Sequence, residues 1–419
     1  MIAIAAFVTL VSIAVPLYVY IGYPILLWIL NKFVQGNSVV HGTDIPTVTL
    51  IVSCYNEEDV IREKLDNCLG LDYEKEKIEI VVISDGSEDQ TDNIVKEYES
   101  KGVRLIRQEG RLGKTSGLNL GVAAARSEII VFSDANAMYE KDSIKKLVRN
   151  FQDDRVGYVV GAALYIDQGQ SSAAQSEDTY WQYEIFMKKL ETRLHSVVGG
   201  DGAIYAIRKK LYDPLDREDI NDFVNPLQII AKGYRGVFES EAICYEETAG
   251  DFNKEAKRKE RIVNRSFRGL MKVKSVMNPF KVGFFSLQII SHKLLRWLIP
   301  VFLIGIFVGS SILTLSGSVY ASALLVLEMT FFWLACCGYL RSNNKSISPA
   351  FYYPYYFLLV NFYSLLGVLQ ALRGNIQITW SSPREKVNST ENTPLANTFF
   401  WVAAGISVLV FSIAVSNLI

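Results

Sequence analysis

The feature that most constrains this chain is the separation of its charge from its longest apolar runs. Ala3 to Leu30 carries no charged side chain. As a helix rising about 1.5 Å per residue, such a run is long enough to cross the ~30 Å hydrocarbon core of a bilayer. It lacks the positive leading region and small-residue cleavage site of a secretory signal, so it is expected to be a retained helix. Leu294 to Leu315 and Tyr320 to Leu340 read as further spans, joined by Ser316-Gly317-Ser318-Val319, and a last span is expected from about Asn397 to Leu418.

Between these runs the composition changes. Nearly all charged residues lie between Lys32 and Lys293, with small clusters after Arg341 and Arg373. The pattern predicts an N-terminal membrane helix over 1–31, a cytosolic domain over 45–275, and interfacial and membrane helices over 276–419. The net charge of −1 gives no basis for a nucleic-acid partner. Cys54, Cys68, Cys244, Cys336 and Cys337 form no CxxC and no disulfide-like framework, which fits a reducing cytosolic setting for the middle of the chain.

Phe351 to Leu372 is apolar enough to span, but it opens Phe-Tyr-Tyr-Pro-Tyr-Tyr, an aromatic density typical of the membrane interface. If it lies along the inner surface, both termini and the Ser316 link fall outside, and every Lys and Arg falls inside. The positive-inside rule favours that arrangement: a cell-membrane protein crossing four times, with its basic residues facing the cytosol and its lipids. Glu328 lies within the third span; such a carboxylate either faces a watery path or pairs with a neighbouring helix.

From Thr47 the pattern alternates. VTLIVSC, IEIVVIS (78–84), VRLIRQ (103–108) and EIIVFSD (128–134) are short β-branched runs, separated by helical spacing over Glu57–Leu69, Thr91–Tyr98 and Ser116–Ala125. That alternation predicts an α/β domain with a mostly parallel sheet covered on both faces. Ligands then sit beyond the carboxyl ends of the strands. Those ends read Cys54-Tyr55-Asn56-Glu57, Asp85-Gly86-Ser87 and Asp134-Ala135-Asn136.

The chain resembles the family 2 glycosyltransferases, the group that includes cellulose, chitin and hyaluronan synthases. The resemblance rests on SCYNEE (53–58), SDGSEDQT (84–91), GRLGKTSGLN (110–119), SDAN (133–136), GGDGAIYAIRK (199–209), INDFVNPLQIIAKGYR (220–235) and RKERI (258–262), in that order. It implies a GT-A fold with a Rossmann-like mixed sheet, and a UDP-sugar donor. The resemblance places Tyr55, Glu57 and Asp85 at the nucleoside, and Lys114 at phosphate or base oxygens. Asp134 and Asn136 take the DxD position for Mn²⁺ or Mg²⁺, with an amide where the pattern has a second carboxylate. Arg258 and Arg261 would face the donor diphosphate. Gly200, Asp201 and Gly202 match the loop before the acceptor-facing helix, and Asp222 matches the base that takes a proton from the acceptor hydroxyl. Attack opposite the diphosphate would invert configuration.

Each assignment has a plainer counterpart. Glu57, Asp85 and Asp222 are also cap residues. Asp134 and Asn136 fit a turn, and Asp201 suits a turn as well as a sugar. Asp216, Glu218 and Asp219 read as surface charges, and each is an alternative to Asp222 as the base. Tyr180, Trp181 and Tyr183 read as core packing rather than sugar platforms. Ile262 stands where processive synthases carry Trp, and Arg258 where they carry Gln. The leading expectation is a synthase that extends a glycan and whose spans provide a path for it. The alternatives are single transfer to a lipid-linked acceptor, or a silent transporter or scaffold. Ile376–Trp380 faintly resembles a gating loop, and Asn388-Ser389-Thr390 is a sequon placed on the cytosolic side.

Overall fold

The computed structural model describes residues 1–33, 39–42, 44–166, 172–247, 252–341, 348–376, 405, 407–408 and 410–418. Residues 377–380 of the gating-loop match, the sequon, the side chain of Tyr180 and residues 397–404, 406 and 409 of the last expected span lie outside the described residues.

The domain is built on an eight-stranded sheet in the order β3-β2-β1-β4-β7-β6-β8-β5. Its strands are β1 Val48–Cys54, β2 Ile78–Ser84, β3 Val103–Arg107, β4 Ile129–Asp134, β5 Met138–Tyr139, β6 Val156–Ile166, β7 Tyr205–Arg208 and β8 Arg235–Glu247. Strands β3, β2, β1 and β4 are parallel. Beyond β4 the sheet becomes mixed, because β7 runs antiparallel to both β4 and β6. All seven residues of β1 are buried, as expected for a strand covered on both faces. Its side chains alternate between two cores: Leu50 and Val52 pack with Ile80 and Val82, while Ile51 packs with Val81, Ile83 and Ile130. Complete burial of each such aliphatic side chain contributes about 1.5–3 kcal/mol.

Helix α1 (Ile2–Phe33) precedes the domain, with a π-helical turn at Tyr18–Gly22. Within the domain lie α2 (Ile61–Leu69), α3 (Thr91–Glu97), α4 (Lys114–Ala124), α5 (Ser172–Leu194), α6 (Asn221–Ala231) and the amphipathic α7 (Phe252–Lys272). Three apolar helices follow: α8 (Phe285–Leu315), α9 (Val319–Leu340) and α10 (Pro349–Leu372). Together with α1 they are long and apolar enough to cross a membrane.

Small residues let α1 and α8 approach closely. Ala5, Thr9 and Ser12 face Gly305 and Gly309, and a side chain at either glycine would run into Thr9 or Ser12. Glu328 of α9 accepts a hydrogen bond from Ser310 Oγ of α8 at 3.0 Å, the pairing alternative for that carboxylate. The two ends of α10 are informative. Phe351 and Tyr355 sit against Gly338, near the end of α9. Gly367 sits against the backbone of Glu260 on α7, and Gln370 Nε2 donates to Glu260 Oε1. Asn417, at the far end of the chain, donates to the Thr314 carbonyl beside the Ser316 link.

Candidate active site

The site forms where the carboxyl ends of β1, β2 and β4 meet the loop before β7 and the first turn of α6. The first two strand ends are tied together by Asn56, which has φ of 52°. This left-handed geometry is one that Asn tolerates better than most side chains. It lets Asn56 Oδ1 accept from Glu88 N at 2.9 Å, while Asn56 N donates to Ser87 Oγ at 3.2 Å. Gly86 has φ of 72°, and a Cβ there would lie 2.8 Å from the Gly110 carbonyl oxygen. Only glycine fits that turn.

Asp85 is 1% exposed. Its Oδ1 accepts from Gln108 Nε2 at 2.7 Å, Leu112 N at 2.9 Å and Gly113 N at 2.8 Å. Its Oδ2 is buried with no partner. Burial raises the Asp85 carboxyl above the usual range, against the lowering effect of the Gly113 and Leu112 amides. A buried acceptor held by one oxygen and open at the other suits a donor brought in by a ligand. Tyr55 lies nearby, with the Arg111 guanidinium 3.8 Å over its ring. Glu57 sits in the turn before α2 rather than in the helix, which starts at Ile61; its carbonyl accepts from Val60 and Ile61.

The centre of the site is Gly202. A Cβ built there would stand 3.4 Å from Asp222 Oδ2, 3.4 Å from Lys114 Nζ and 3.5 Å from Asp134 Oδ2. Three separately predicted groups thus converge on one small space that glycine leaves open. Lys114 Nζ donates to Asp134 Oδ1, and Ser53 Oγ donates to the same oxygen at 3.3 Å. Asp222 Oδ1 is buried without a partner. Burial raises the Asp222 carboxyl; Lys114 pulls it down, while Asp201 and Asp134 push it further up.

Gly200 N donates to the Asp222 carbonyl at 2.5 Å, so the glycine loop lies against the start of α6. The loop leads directly into β7 rather than into a helix, because β7 fills the gap between β4 and β6 in the sheet. Asp201 Oδ1 accepts from Ala203 N at 3.3 Å, and its Oδ2 lies 3.7 Å from Lys188 Nζ; in this structure it supports the turn. Asp219 is buried rather than at the surface. It pairs with Lys272 at 2.5 Å and accepts from Asp216 N. Asp216 pairs with Lys272 and Glu218 lies 3.6 Å from Arg268, so these three carboxylates are engaged away from Gly202. Trp181 donates from its indole to Ala163 O, and Tyr183 donates to Tyr20 O at 3.4 Å; both pack within the protein.

Arg258 and Arg261 lie on α7 (Phe252–Lys272). Burial, followed by the charges of Arg265 and Arg258, pushes the Arg261 guanidinium down to about 10, while Asp134 and Asp222 act in the opposite sense. Among the described residues no group of three or more His, Cys, Asp or Glu gathers as a metal cluster. Asp134 Oδ2 faces the Gly202 space and Asn136 stands two residues along the same turn; both are oxygen donors of the kind a hard cation takes.

Three residues escaped the sequence reading. Lys64 is completely buried in α2; its ammonium donates to Ala137 O and lies 4.2 Å over the Tyr139 ring, propping the turn after Asp134. Arg265 bridges the Glu218 carbonyl, at 3.1 Å, and Thr115 Oγ1, at 3.1 Å. Glu246 is buried on β8, and burial with Asp134 and Asp201 pushes it up to about 7. Lys64 was legible only as one polar position in an otherwise amphipathic helix, and Glu246 only as a carboxylate within a strand.

Residues 49–215 match the model of glycosyl transferase family 2. The chain is 26% identical over 240 residues to the poly-β-1,6-N-acetyl-D-glucosamine synthase of Staphylococcus aureus strain MSSA476, covering 54% of this chain and 58% of that protein. The chain thus spans little more than half the length of that relative. It is 32% identical over 134 residues to the probable glycosyltransferase YdaM of Bacillus subtilis, covering 30% of this chain and 32% of YdaM. Among solved structures it is similar to the mannosyltransferase PcManGT of Pyrobaculum calidifontis, in complex with GDP-Man and Mn²⁺. The TM-score is 0.66 at 22% identity, covering 87% of this chain and 99% of that one. Residues 49–215 are thus similar to glycosyl transferase family 2, and the chain has the GT-A fold with apolar helices long enough to cross a membrane.

Proposed function

We propose that the protein transfers sugar from a UDP-sugar to a growing polysaccharide or oligosaccharide at the cytosolic membrane face. The observation that carries this reading is the convergence of Asp222, Lys114 and Asp134 on the open space at Gly202. The free Oδ2 of Asp85 accepts from the imide N–H of uracil, beside Tyr55 and Glu57. Arg258 and Arg261 face the diphosphate. Asp134 and Asn136 would hold a divalent cation, Mn²⁺ or Mg²⁺, whose charge offsets that of the leaving diphosphate. Asp222 takes the proton from the acceptor hydroxyl as its oxygen attacks the anomeric carbon opposite the diphosphate, which inverts configuration. The acceptor lies over Gly200, Asp201 and Gly202, where the two glycines leave room for a sugar ring.

The membrane arrangement follows the same reading. Both ends of α10 meet elements that this reading assigns to the inner side: Gly338 near the end of α9, and Glu260 of α7. This supports an interfacial α10, four crossings, and termini outside. Asn417 beside Thr314 is in keeping with that. The spans then offer a path for the product. Ile262, in place of an aromatic platform, favours a second reading: transfer of a single sugar to a lipid-linked acceptor.

The test is turnover of a UDP-sugar panel by the protein in lipid nanodiscs with Mn²⁺ or Mg²⁺, headed by UDP-N-acetylglucosamine and run beside Asp222→Asn. An oligomer ladder by mass spectrometry, absent in the variant, supports the synthase. UDP release only with an added lipid acceptor supports single transfer. No turnover of any donor overturns the enzyme reading.

A further inference from the structure

A buried ion cluster that the transfer chemistry does not use joins the apolar helices to the catalytic domain. Glu184, Lys188 and Glu191 lie on one face of α5, at i, i+4 and i+7. Glu191 is completely buried. Its Oε1 accepts from Tyr23 OH of α1 at 2.9 Å and lies 2.7 Å from His292 Nδ1 of α8. The other ring nitrogen of His292 lies 3.1 Å from Glu184 Oε2, and Glu184 also receives Arg296 of α8. His292 thus lies between two carboxylates, each within hydrogen-bond distance of one ring nitrogen. Tyr18 and Ser291 hydroxyls meet at 2.8 Å beside it. Both membrane helices open into π-helical turns at this level, Tyr18–Gly22 on α1 and Ile290–Leu294 on α8, a distortion that tends to mark functional positions.

The cluster reaches the acceptor loop by two arms. Glu191 Oε2 accepts from the backbone N–H of Val198 at 3.3 Å, directly before Gly199-Gly200-Asp201-Gly202. Lys188, one helical turn away on the same face, lies 3.7 Å from Asp201. The loop in turn holds the Asp222 backbone through Gly200. Apolar packing alone holds helices together at lower desolvation cost than buried ions; what the ions add here is a fixed register between α1, α8 and the loop.

We propose that Glu191, anchored by Tyr23 and His292, is a positioning residue that fixes the acceptor loop relative to the membrane helices. The acceptor chain thereby stays aligned between Asp222 and its exit along α1 and α8. The inference rests on the reading of 199–202 as the acceptor loop.

The experiment uses the full chain in nanodiscs, comparing Glu191→Gln with the unaltered protein. UDP affinity is measured by calorimetry, and KM for β-1,6-linked N-acetylglucosamine oligomers with UDP-N-acetylglucosamine as donor. Amide exchange over 197–201 is followed by mass spectrometry. Acceptor KM is expected to rise about tenfold, with faster exchange over 197–201 and UDP affinity unchanged. Unchanged KM and exchange overturn the proposal, as does loss of UDP affinity in step with KM, which marks a general structural role. Tyr23→Phe, which removes one hydroxyl, carries the same test at about threefold if Glu191→Gln does not fold. If the unaltered protein extends no oligomer, the functional reading fails, while the exchange data still decide whether Glu191 holds the loop.

Discussion

The backbone N–H of Gly200 and the carbonyl of Asp222 meet at 2.5 Å, so the glycine loop and the candidate base move as one piece. Gly200→Ala and Gly202→Ala should then behave differently. A Cβ at Gly200 would lie 2.7 Å from the Asp222 carbonyl oxygen, whereas one at Gly202 meets nothing closer than 3.4 Å. Gly200→Ala is expected to lower thermal stability. Gly202→Ala should leave stability intact and lower kcat/KM roughly 100-fold, by filling the reacting space. Melting curves beside steady-state kinetics separate the two.

The raised carboxyl of Asp222 sets a direction for the pH profile. A general base works only when ionised, so activity rises with pH through its pKa. The acidic limb of kcat/KM should therefore lie above the ~4 of an exposed aspartate. Lys114 is the main influence pulling that pKa down, so Lys114→Met should move the limb to higher pH. Asp222→Asn should remove the limb and lower kcat roughly 100- to 10,000-fold, with UDP binding retained. A limb at the ordinary position in both proteins would remove Asp222 from this role.

Gln108 touches no predicted ligand, yet it bonds the same Asp85 oxygen as the Leu112 and Gly113 amides. Gln108→Ala leaves Asp85 short of one partner and freer to turn. UDP affinity by calorimetry should fall about tenfold. The affinity for GDP, which lacks the uracil edge, should change far less.

Asn136 supplies an uncharged amide where a second carboxylate would bind a hard cation more tightly. Asn136→Asp should lower the Mn²⁺ concentration for half-maximal activity roughly tenfold. A titration that does not move would show that Asn136 stays out of the cation shell.

The parallel half of the domain was legible because its strands are continuous apolar runs that end on polar residues. β1 and β2 fall where those runs predict, at Val48–Cys54 and Ile78–Ser84. The mixed half was not. In β6, β7 and β8, residues such as Tyr158, Arg208 and Glu239 interrupt the apolar pattern, and tertiary bonds satisfy them: Tyr158 to Val197 O, Arg208 to Val156 O, Glu239 to Arg149. Those partners are distant in sequence, so no local window contains the signal. Of the site, Asp85, Lys114, Asp134 and Asp222 stood out because they end elements or begin helices. Lys64 and Arg265 lie inside helices, where only the finished packing shows what they hold.

The close contact of Ala5, Thr9 and Ser12 with Gly305 and Gly309 bears on how the molecule is made. A ribosome extends a chain N-terminal end first, at about 5–20 residues per second. The first helix therefore waits through synthesis of the whole catalytic domain before its partner emerges. During that interval its small polar face has only lipid, or another membrane protein, to rest against. Closure of the two helices brings Tyr23 and His292 together at Glu191, so the frame around the glycine loop is complete only after α8 has been made and has met α1.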